Sequence, residues 1–271
     1  MRITSALFIL SLAFSSCSKF AKVQKSNDYE YKLKMANEYY EKKKYNNAQL
    51  LYEELFPIFK GTPKFEDVYN NYAYCAYYQK DYQNAENLFK GFVEVFPNSP
   101  RAEEMNFMRA YCYYKQSPKL ELDQTNTHKT IGLMQTFINS HPGSSRIKEA
   151  TDIIDKSRAK LEAKEAKNAD LYYNLGQYRA AAIAFANLMN NFPDSDKSDQ
   201  YKLQVIRSYF EFAVLSVDEK KPERYAQVIT ECNDFIDRFP ASKLMKDVEK
   251  FLNQSQTNIK AFHNEQVKKT A

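Results

Sequence analysis

The sequence predicts an all-α protein, a solenoid of about five helical hairpins with a C-terminal capping helix. Two observations support this fold class. Only five glycines and nine prolines interrupt 271 residues, which favours long helices over many short strands. A short motif also recurs at spacings of 45, 51 and 47 residues, with an aromatic ring before a proline and a serine two places after it. The motif reads FPNS at 96–99, HPGS at 141–144, FPDS at 192–195 and FPAS at 239–242.

The residues before these corners share a second pattern. Three tyrosines are each followed by an aromatic residue five places later, an alanine eight places later and an aromatic residue twelve places later; they are Tyr40, Tyr77 and Tyr173. In the first unit, Tyr45, Ala48 and Tyr52 therefore share one helix face, with alanine where two antiparallel helices come closest. Because proline then ends the second helix, this is the pattern of tetratricopeptide repeats, helix-turn-helix units of about 34 residues. The predicted fold is thus a tetratricopeptide-repeat superhelix.

The other units carry additional segments. In the third unit, the insertion SPKLELDQTNTH places the second helix at about 129–139, with Thr130 instead of alanine. The fourth unit has a long lead-in at 146–167, rich in Ala, Lys and Glu. In the fifth unit, the insertion SVDEKKPER precedes a second helix that ends at Phe239. A final amphipathic stretch, SKLMKDVEKFLNQSQTNIKAF, is expected to cap the open end of the stack.

The first residues are typical of an exported protein. Arg2 precedes about twelve mostly apolar residues, too few for a membrane span, which needs about 20. The stretch FSSC resembles the bacterial lipobox, which predicts acylation of Cys17, and Ser18 favours the periplasmic face of the outer membrane. An ordinary signal peptide with a chance cysteine is the alternative. The predicted organisation is a signal peptide at 1–16, an acylated cysteine and tether at 17–28, a repeat domain at 29–262 and a flexible tail at 263–271.

Three cysteines remain after the predicted cleavage: Cys75, Cys112 and Cys232. An odd number in an exported protein gives no complete disulfide framework. Cys75 and Cys112 fall at equivalent repeat positions inside helical patterns. We therefore expect small buried thiols that fill the core, with a bridge between Cys75 and Cys112 as the alternative.

The sequence contains no catalytic or metal-binding motif. Its three histidines, His128, His141 and His263, lack the HExxH spacing, and no CxxC, GxSxG or glycine-rich phosphate loop occurs. The formal charge of +5 is mild and no basic run is long enough to follow a phosphate backbone. We expect a non-enzymatic protein without cofactor, metal or nucleic-acid partner.

A ladder of tyrosines is the candidate binding surface. The first helix of each hairpin is expected to line the concave face, where tyrosine offers apolar area with a polar tip suited to extended or partly unfolded peptides. The alternative is that the rings fill gaps between helices, which we favour for Tyr39, Tyr113 and Tyr172. The predicted groove comprises the ladder positions Tyr40, Tyr77, Tyr114 and Tyr173 and their neighbours Tyr74, Tyr78, Phe107 and Tyr111.

Two long segments resemble a known family. They are FMRAYCYYKQSPKLELDQTNTHKTIGLMQTFINSHPGSS at 107–145 and KLEAKEAKNADLYYNLGQYRAAAIAFANLMNNFPDSD at 160–196. Together with the predicted acylated cysteine, they resemble the BamD family, the lipoprotein component of the machinery that assembles β-barrels in the bacterial outer membrane. The resemblance covers nearly the whole mature chain, and only Cys17 can be carried over residue by residue.

The resemblance implies a lipid-anchored, non-enzymatic scaffold. Its C-terminal repeats would bind the periplasmic domains of the barrel-forming core subunit, and its N-terminal repeats would receive signals from unfolded outer-membrane proteins. Other lipoprotein subunits are further implied partners, and the lipid anchor attaches the protein to the membrane.

Two other functions remain open from the sequence. One is a periplasmic tetratricopeptide lipoprotein that serves as an adaptor for envelope proteases or cell-wall enzymes, which would lack the LDQ insertion. The other is a glycan-capturing lipoprotein of the SusD type. Such chains are much longer and usually stack sugars on tryptophan, whereas this chain has no tryptophan.

Overall fold

The computed structural model describes residues 19–270, and these residues form helices without any strand. The leader at 1–16 and Cys17 lie outside the described residues, so cleavage and acylation stay predictions. A helical segment at 19–24 comes first. It is followed by α1 (Tyr29–Glu41), α2 (Tyr45–Phe59), α3 (Phe65–Tyr78), α4 (Tyr82–Val95), α5 (Ala102–Gln116), α6 (Thr125–Ser140), α7 (Ile147–Asn174), α8 (Tyr178–Asn191), α9 (Ser198–Val214), a 3-10 turn (Asp218–Lys220), α10 (Lys221–Arg238) and α11 (Met245–Thr270).

The chain divides into two compact units, Met1–Arg158 and Ala159–Ala271, with the boundary inside α7. In the first unit, α1 to α6 form three consecutive hairpins, each helix packed on the next. In the second unit, α9 packs on α8 and α10, and α11 packs on α10. The predicted all-α hairpin repeat is therefore confirmed.

Small residues lie at the predicted points of closest helix approach. Ala48, Ala85 and Ala181 are completely buried. A larger side chain at any of these positions would separate the paired helices. Thr130 is also buried at the equivalent place in α6, and its hydroxyl donates to the carbonyl of Asn126 at 2.8 Å. The local hydrogen bond satisfies the polar atom that distinguishes threonine from alanine.

The recurring serine has a definite role at each corner. Its hydroxyl donates to an acidic side chain on the first helix of the same hairpin and accepts the backbone N–H two residues further on. The pairs are Ser99 with Glu66 at 2.6 Å, Ser195 with Glu162 at 2.7 Å, Ser242 with Asp199 at 2.6 Å, and Ser144 with Glu103. The N–H donors are those of Arg101, Arg146, Lys197 and Leu244, at 3.0–3.1 Å. The motif thus ties the end of each of these four hairpins to its beginning.

Left-handed backbone makes the tight turn inside three hairpins. Lys43, Lys80 and Gly176 each lie two residues before the second helix, with φ values of 57°, 66° and 72°. Glycine adopts this region without steric cost, whereas lysine does not. The turn geometry is therefore shared although the residue type is not.

The insertion in the third hairpin is shorter than expected, because α6 begins at Thr125 and not near 129. The side-chain amide of Gln124 is buried and donates to the carbonyls of Lys119 and Leu122 at 2.9 and 3.0 Å. The carboxylate of Asp123 accepts the N–H of Thr125 at 2.9 Å. These bonds close the loop and allow the helix to start four residues earlier.

The lead-in at 146–167 is continuous with the first helix of the fourth hairpin. Both belong to the 28-residue helix α7. In the fifth hairpin, α10 ends at Arg238, as the position of Phe239 in the corner predicts.

Both ends of the repeat domain extend beyond the predicted limits. Residues 19–24 of the predicted tether are helical, Val23 is 0% exposed and the ring of Phe20 lies 5.7 Å from that of Tyr39. The packed region therefore begins before residue 29. At the other end, α11 continues past 262 to Thr270. Flexibility of 263–271 stays a prediction.

The three thiols are buried and free, which confirms the expectation for Cys75, Cys112 and Cys232. A bridge between the first two is therefore wrong. Burial raises the pKa of each thiol to about 12, since a thiolate would lose its hydration in the core. These side chains pack as small apolar groups.

Candidate peptide-binding groove

Six of the eight predicted groove residues line a single cavity of about 470 Å³ in the first unit. We call this cavity the aromatic groove. Its walls come from α1, α3, α5 and the beginning of α7, which are the first helices of consecutive hairpins. The predicted residues in it are Tyr40, Tyr74, Tyr77, Tyr78, Phe107 and Tyr111, and they are joined by Asn70, Glu104, Met108, Arg146 and Glu149.

Phe107 forms the base of the aromatic groove. Its side chain is only 1% exposed, so it belongs to the core as much as to the surface. The guanidinium of Arg146 lies 4.4 Å from the ring centroid of Phe107, and Tyr111 stacks on that ring at 5.8 Å. The base is therefore apolar and covered on one side by a cation.

Tyr78 is the most exposed ring of the aromatic groove, at 45%. It stacks on Tyr45 at 4.6 Å and on Tyr74 at 5.8 Å. Tyr40 is half-buried and lies 6.3 Å from Tyr78. The rings thus form a continuous surface whose members hold one another in place, and an incoming side chain meets a largely preformed wall.

The polar side of the aromatic groove is an ion-pair cluster. The carboxylate of Glu104 accepts two hydrogen bonds from Arg146, at 2.6 and 2.8 Å, and one from the Tyr74 hydroxyl at 3.3 Å. Arg146 also pairs with Glu149 at 2.8 Å. This bidentate geometry fixes the guanidinium in the groove wall.

Burial keeps the hydroxyls of Tyr40, Tyr74 and Tyr77 protonated at neutral pH. Burial raises the pKa of Tyr77 to about 12, and burial followed by the charge of Glu104 raises the pKa of Tyr74 further. Burial likewise raises the pKa of Tyr40. The single O–H of Tyr74 is already donated to Glu104 at 3.3 Å, whereas that of Tyr77 can donate a hydrogen bond to a peptide carbonyl.

Two predicted residues do not line the aromatic groove. Tyr114 is half-buried and its ring contacts Tyr111 at 5.8 Å, so it supports the wall from behind. Tyr173 belongs to the second unit, where its ring packs on Tyr178 at 5.2 Å.

The residues expected to fill gaps between helices behave differently from one another. Tyr39 is buried, as expected. Tyr113 is half-buried beneath the ammonium of Lys129, which lies 5.1 Å from its ring centroid. Tyr172 is 46% exposed, so the expectation for this residue is wrong.

Sequence reasoning missed Glu104, Arg146 and Glu149. Glu103 and Glu104 together look like a solvated helix face, yet one binds the corner serine and the other binds Arg146. A signal for Arg146 was nevertheless present, because three of the four corners have a basic residue two places after the serine; these residues are Arg101, Arg146 and Lys197. Arg101 pairs with Asp67 at 2.7 Å in the preceding hairpin.

Within residues 19–270, no group of His, Cys, Asp and Glu side chains is arranged to hold a metal ion. None of the helices in this part of the chain is both long and apolar enough to cross a membrane.

The stacked hairpins define a tetratricopeptide-repeat scaffold. The chain belongs to the YfiO family of outer membrane lipoproteins, whose family model matches residues 25–214.

Solved structures of tetratricopeptide-repeat proteins are similar to this chain at low sequence identity. Among solved structures, the TPR2AB-domain:pHSP90 complex of yeast Sti1 is 13% identical with a TM-score of 0.40, covering 84% of this chain and 98% of that chain. A thermophilic TPR protein of Thermus thermophilus is 12% identical with a TM-score of 0.32, covering 84% and 99%. No curated protein matches the sequence.

Proposed function

We propose that this protein is a lipid-anchored scaffold subunit of the machinery that assembles β-barrel proteins in the outer membrane. It binds the periplasmic domains of the barrel-forming core subunit and works beside other lipoprotein subunits. Acylated Cys17 holds it at the periplasmic face of the outer membrane. Membership of the outer membrane lipoprotein family over residues 25–214 is the observation that carries this proposal.

The aromatic groove receives extended segments of unfolded outer-membrane proteins. Four half-buried or exposed tyrosines face one cavity and offer it apolar ring surface with polar tips. These are Tyr40, Tyr74, Tyr77 and Tyr78. Strands of a β-barrel alternate apolar and polar residues, and tyrosine can contact both kinds without a large loss of side-chain entropy. A volume of about 470 Å³ accommodates a few side chains of such a segment.

The ion-pair cluster of Glu104, Arg146 and Glu149 gives the groove one polar wall. Its charges are already paired, so an uncharged polar side chain or a backbone amide costs less to place there than a charged group. The groove therefore favours uncharged segments, which suits unfolded strands that are later buried in a bilayer.

A pulldown of the full-length, lipidated protein from its own envelope in mild detergent tests the assembly function, with mass spectrometry of the recovered partners. The proposal expects a stoichiometric partner that combines repeated periplasmic domains with a C-terminal β-barrel. A Cys17→Ser variant serves as the control for anchoring and should leave the membrane fraction. Recovery of proteases or cell-wall enzymes without any barrel protein would contradict the proposal and favour the general adaptor.

A further inference from the structure

A second cavity, of about 360 Å³, lies in the second unit. Its lining comes from the second helices α8 and α10, from the C-terminal half of α9 and from the 3-10 turn. We call this cavity the basic pocket, and define it by Arg179, Tyr209, Phe212, Lys220, Glu223 and Arg224.

Two contacts fix the position of the Arg224 guanidinium in the basic pocket. Its guanidinium stacks on the ring of Phe212, with 3.9 Å between the central carbon and the ring centroid. One of its amino groups donates to the hydroxyl of Ser216, which in turn donates to the Phe212 carbonyl at 2.5 Å. Stacking and a single hydrogen bond leave the remaining N–H groups of the guanidinium free to bind a ligand.

The cations of the basic pocket exceed the anions. Within residues 19–270, neither Arg179 nor Arg224 forms an ion pair, whereas Lys220 and Glu223 pair with each other at 3.3 Å. Two guanidinium groups therefore remain without a carboxylate. Such planar donors match the two oxygens of a carboxylate or a phosphate.

Apolar side chains lie directly beside the basic pocket. Leu215 and Val217 are 72% and 66% exposed, and they flank Ser216, which contacts Arg224. The Val217 carbonyl accepts the N–H of Lys220 at 2.9 Å, so the turn that carries these residues is anchored to the pocket rim. An anion-binding group and an exposed aliphatic surface are thus adjacent.

We propose that the basic pocket binds an aspartate or glutamate side chain from an acidic and aliphatic segment of a partner protein. The carboxylate is placed between Arg179 and Arg224, and the neighbouring aliphatic residue of the partner covers Leu215 and Val217. Charge complementarity selects the acid, and burial of the exposed aliphatic side chains adds affinity.

A protein carboxylate fits this surface better than an anionic membrane does. The segment SVDEKKPER carries three acids, Asp218, Glu219 and Glu223, and three basic residues, Lys220, Lys221 and Arg224. This segment is consequently neutral as a whole, and a flat anionic surface gains little from it. A single carboxylate that enters the pocket meets the two unpaired guanidinium groups, because the one acid of the lining, Glu223, is paired with Lys220.

This inference does not rest on the proposed function, because it concerns a different cavity and a property of the purified protein. The test uses full-length protein in nonionic detergent and two dye-labelled, end-capped octapeptides, GSLEVLGS and GSLQVLGS, with fluorescence anisotropy as the readout. The glutamate peptide should bind roughly tenfold more tightly than the glutamine peptide, because only it supplies a charge-assisted hydrogen bond.

Variants locate the binding site. Arg179→Gln and Arg224→Gln should each weaken binding of the glutamate peptide roughly tenfold. Lys250→Gln, an exposed change of the same charge on α11, should leave binding unchanged. Arg179 is exposed and packs little, so its variant remains informative if Arg224→Gln disturbs folding.

Three results would overturn the inference. Equal binding of the two peptides would show that the carboxylate is not recognised. Equal weakening by Lys250→Gln would show general attraction to a basic protein. Displacement of the peptide by the headgroup glycerophosphoglycerol at lower concentration than by glutamate would assign the basic pocket to lipid phosphate.

Discussion

The hydroxyl of Ser195 donates a 2.7 Å hydrogen bond to the carboxylate of Glu162, a residue 33 positions earlier on the first helix of the same hairpin. The same carboxylate oxygen accepts the hydroxyl of Tyr201 at 2.7 Å. Serine-to-acid bonds of this kind recur at all four corners that carry the motif. The motif therefore closes each hairpin by a side-chain bond as well as ending a helix at proline.

Removal of this bond should destabilise the second unit. Ser195→Ala leaves Glu162 with one donor fewer and the N–H of Lys197 without its acceptor at 3.1 Å. We expect a loss of roughly 1.5–3 kcal/mol in the free energy of unfolding, the usual range for a hydrogen bond to a charged group. Urea unfolding followed by circular dichroism measures this change.

Ser255→Ala is the matched control in the same unit. The hydroxyl of Ser255 is buried and has no hydrogen-bond partner among the described residues. Its removal should be neutral or stabilising, because an unsatisfied buried hydroxyl opposes folding. If both variants lost the same stability, the corner bond would not be the cause.

Two glycines should respond to alanine with opposite signs. Gly176 has φ of 72°, so Gly176→Ala places a Cβ in left-handed backbone and should cost about 1–2 kcal/mol. Gly132 lies within α6 with open space around it, and Gly132→Ala should stabilise by about 0.5–1 kcal/mol. Thermal unfolding of the two variants tests this, and a stabilising Gly176→Ala would contradict the assigned turn geometry.

The aromatic groove predicts a separation between binding and stability. Tyr78→Ala removes the most exposed ring and should weaken binding of an unfolded outer-membrane peptide while leaving cooperative unfolding nearly unchanged. Phe107→Ala should instead cost about 3–5 kcal/mol, since it empties a buried site. Anisotropy with a labelled peptide and thermal unfolding distinguish the two effects.

Tyr31→Ala is the control for this experiment, because Tyr31 is an exposed tyrosine outside the aromatic groove. It should alter neither quantity. Tyr77→Ala and Tyr114→Ala are harder to interpret, since both half-buried rings also pack on the core. Unchanged peptide binding in Tyr78→Ala would contradict a role of the groove in client recognition.

The sequence predicted the hairpins and most of the groove because both follow from the helical period. Tyr40 and Tyr77 share one repeat position, and Ala48 marks the close approach of two helices. The pairing of Glu104 with Arg146 could not be predicted in the same way, because the two residues lie 42 positions apart and meet only through the stacking of hairpins.

The periodic pattern also did not predict that α7 is one continuous helix. The lead-in at 146–167 and the first helix of the fourth hairpin are both rich in good helix formers, and no glycine or proline separates them within Ile147–Asn174. The early start of α6 depended on the hydrogen bonds of Gln124, whose side chain could equally have been solvated.

We expect acid to destabilise the second unit, because protonation of a carboxylate removes an ion pair with the buried Lys202. Lys202 is buried and pairs with Glu231 at 2.6 Å and with Asp234. Burial alone would raise the pKa of Asp234, but the hydrogen bonds and charges of Lys202 and, to a smaller extent, Arg238 outweigh it, so the pKa lies below the ordinary value of 3.8. A depressed pKa in the folded state contributes stability that is present above 3.8 and is lost as the pH falls through the folded value.

The urea midpoint measured between pH 2 and 6 should therefore fall with acid below about pH 4. Asp234→Asn should lower the midpoint at neutral pH and flatten its dependence on acid, because one of the two carboxylates that pair with Lys202 has been removed. Asp247→Asn, an exposed change on α11, should keep the dependence of the unmodified protein. An undiminished acid response in Asp234→Asn would show that other carboxylates carry the effect, and that the pair with Lys202 is not a source of stability.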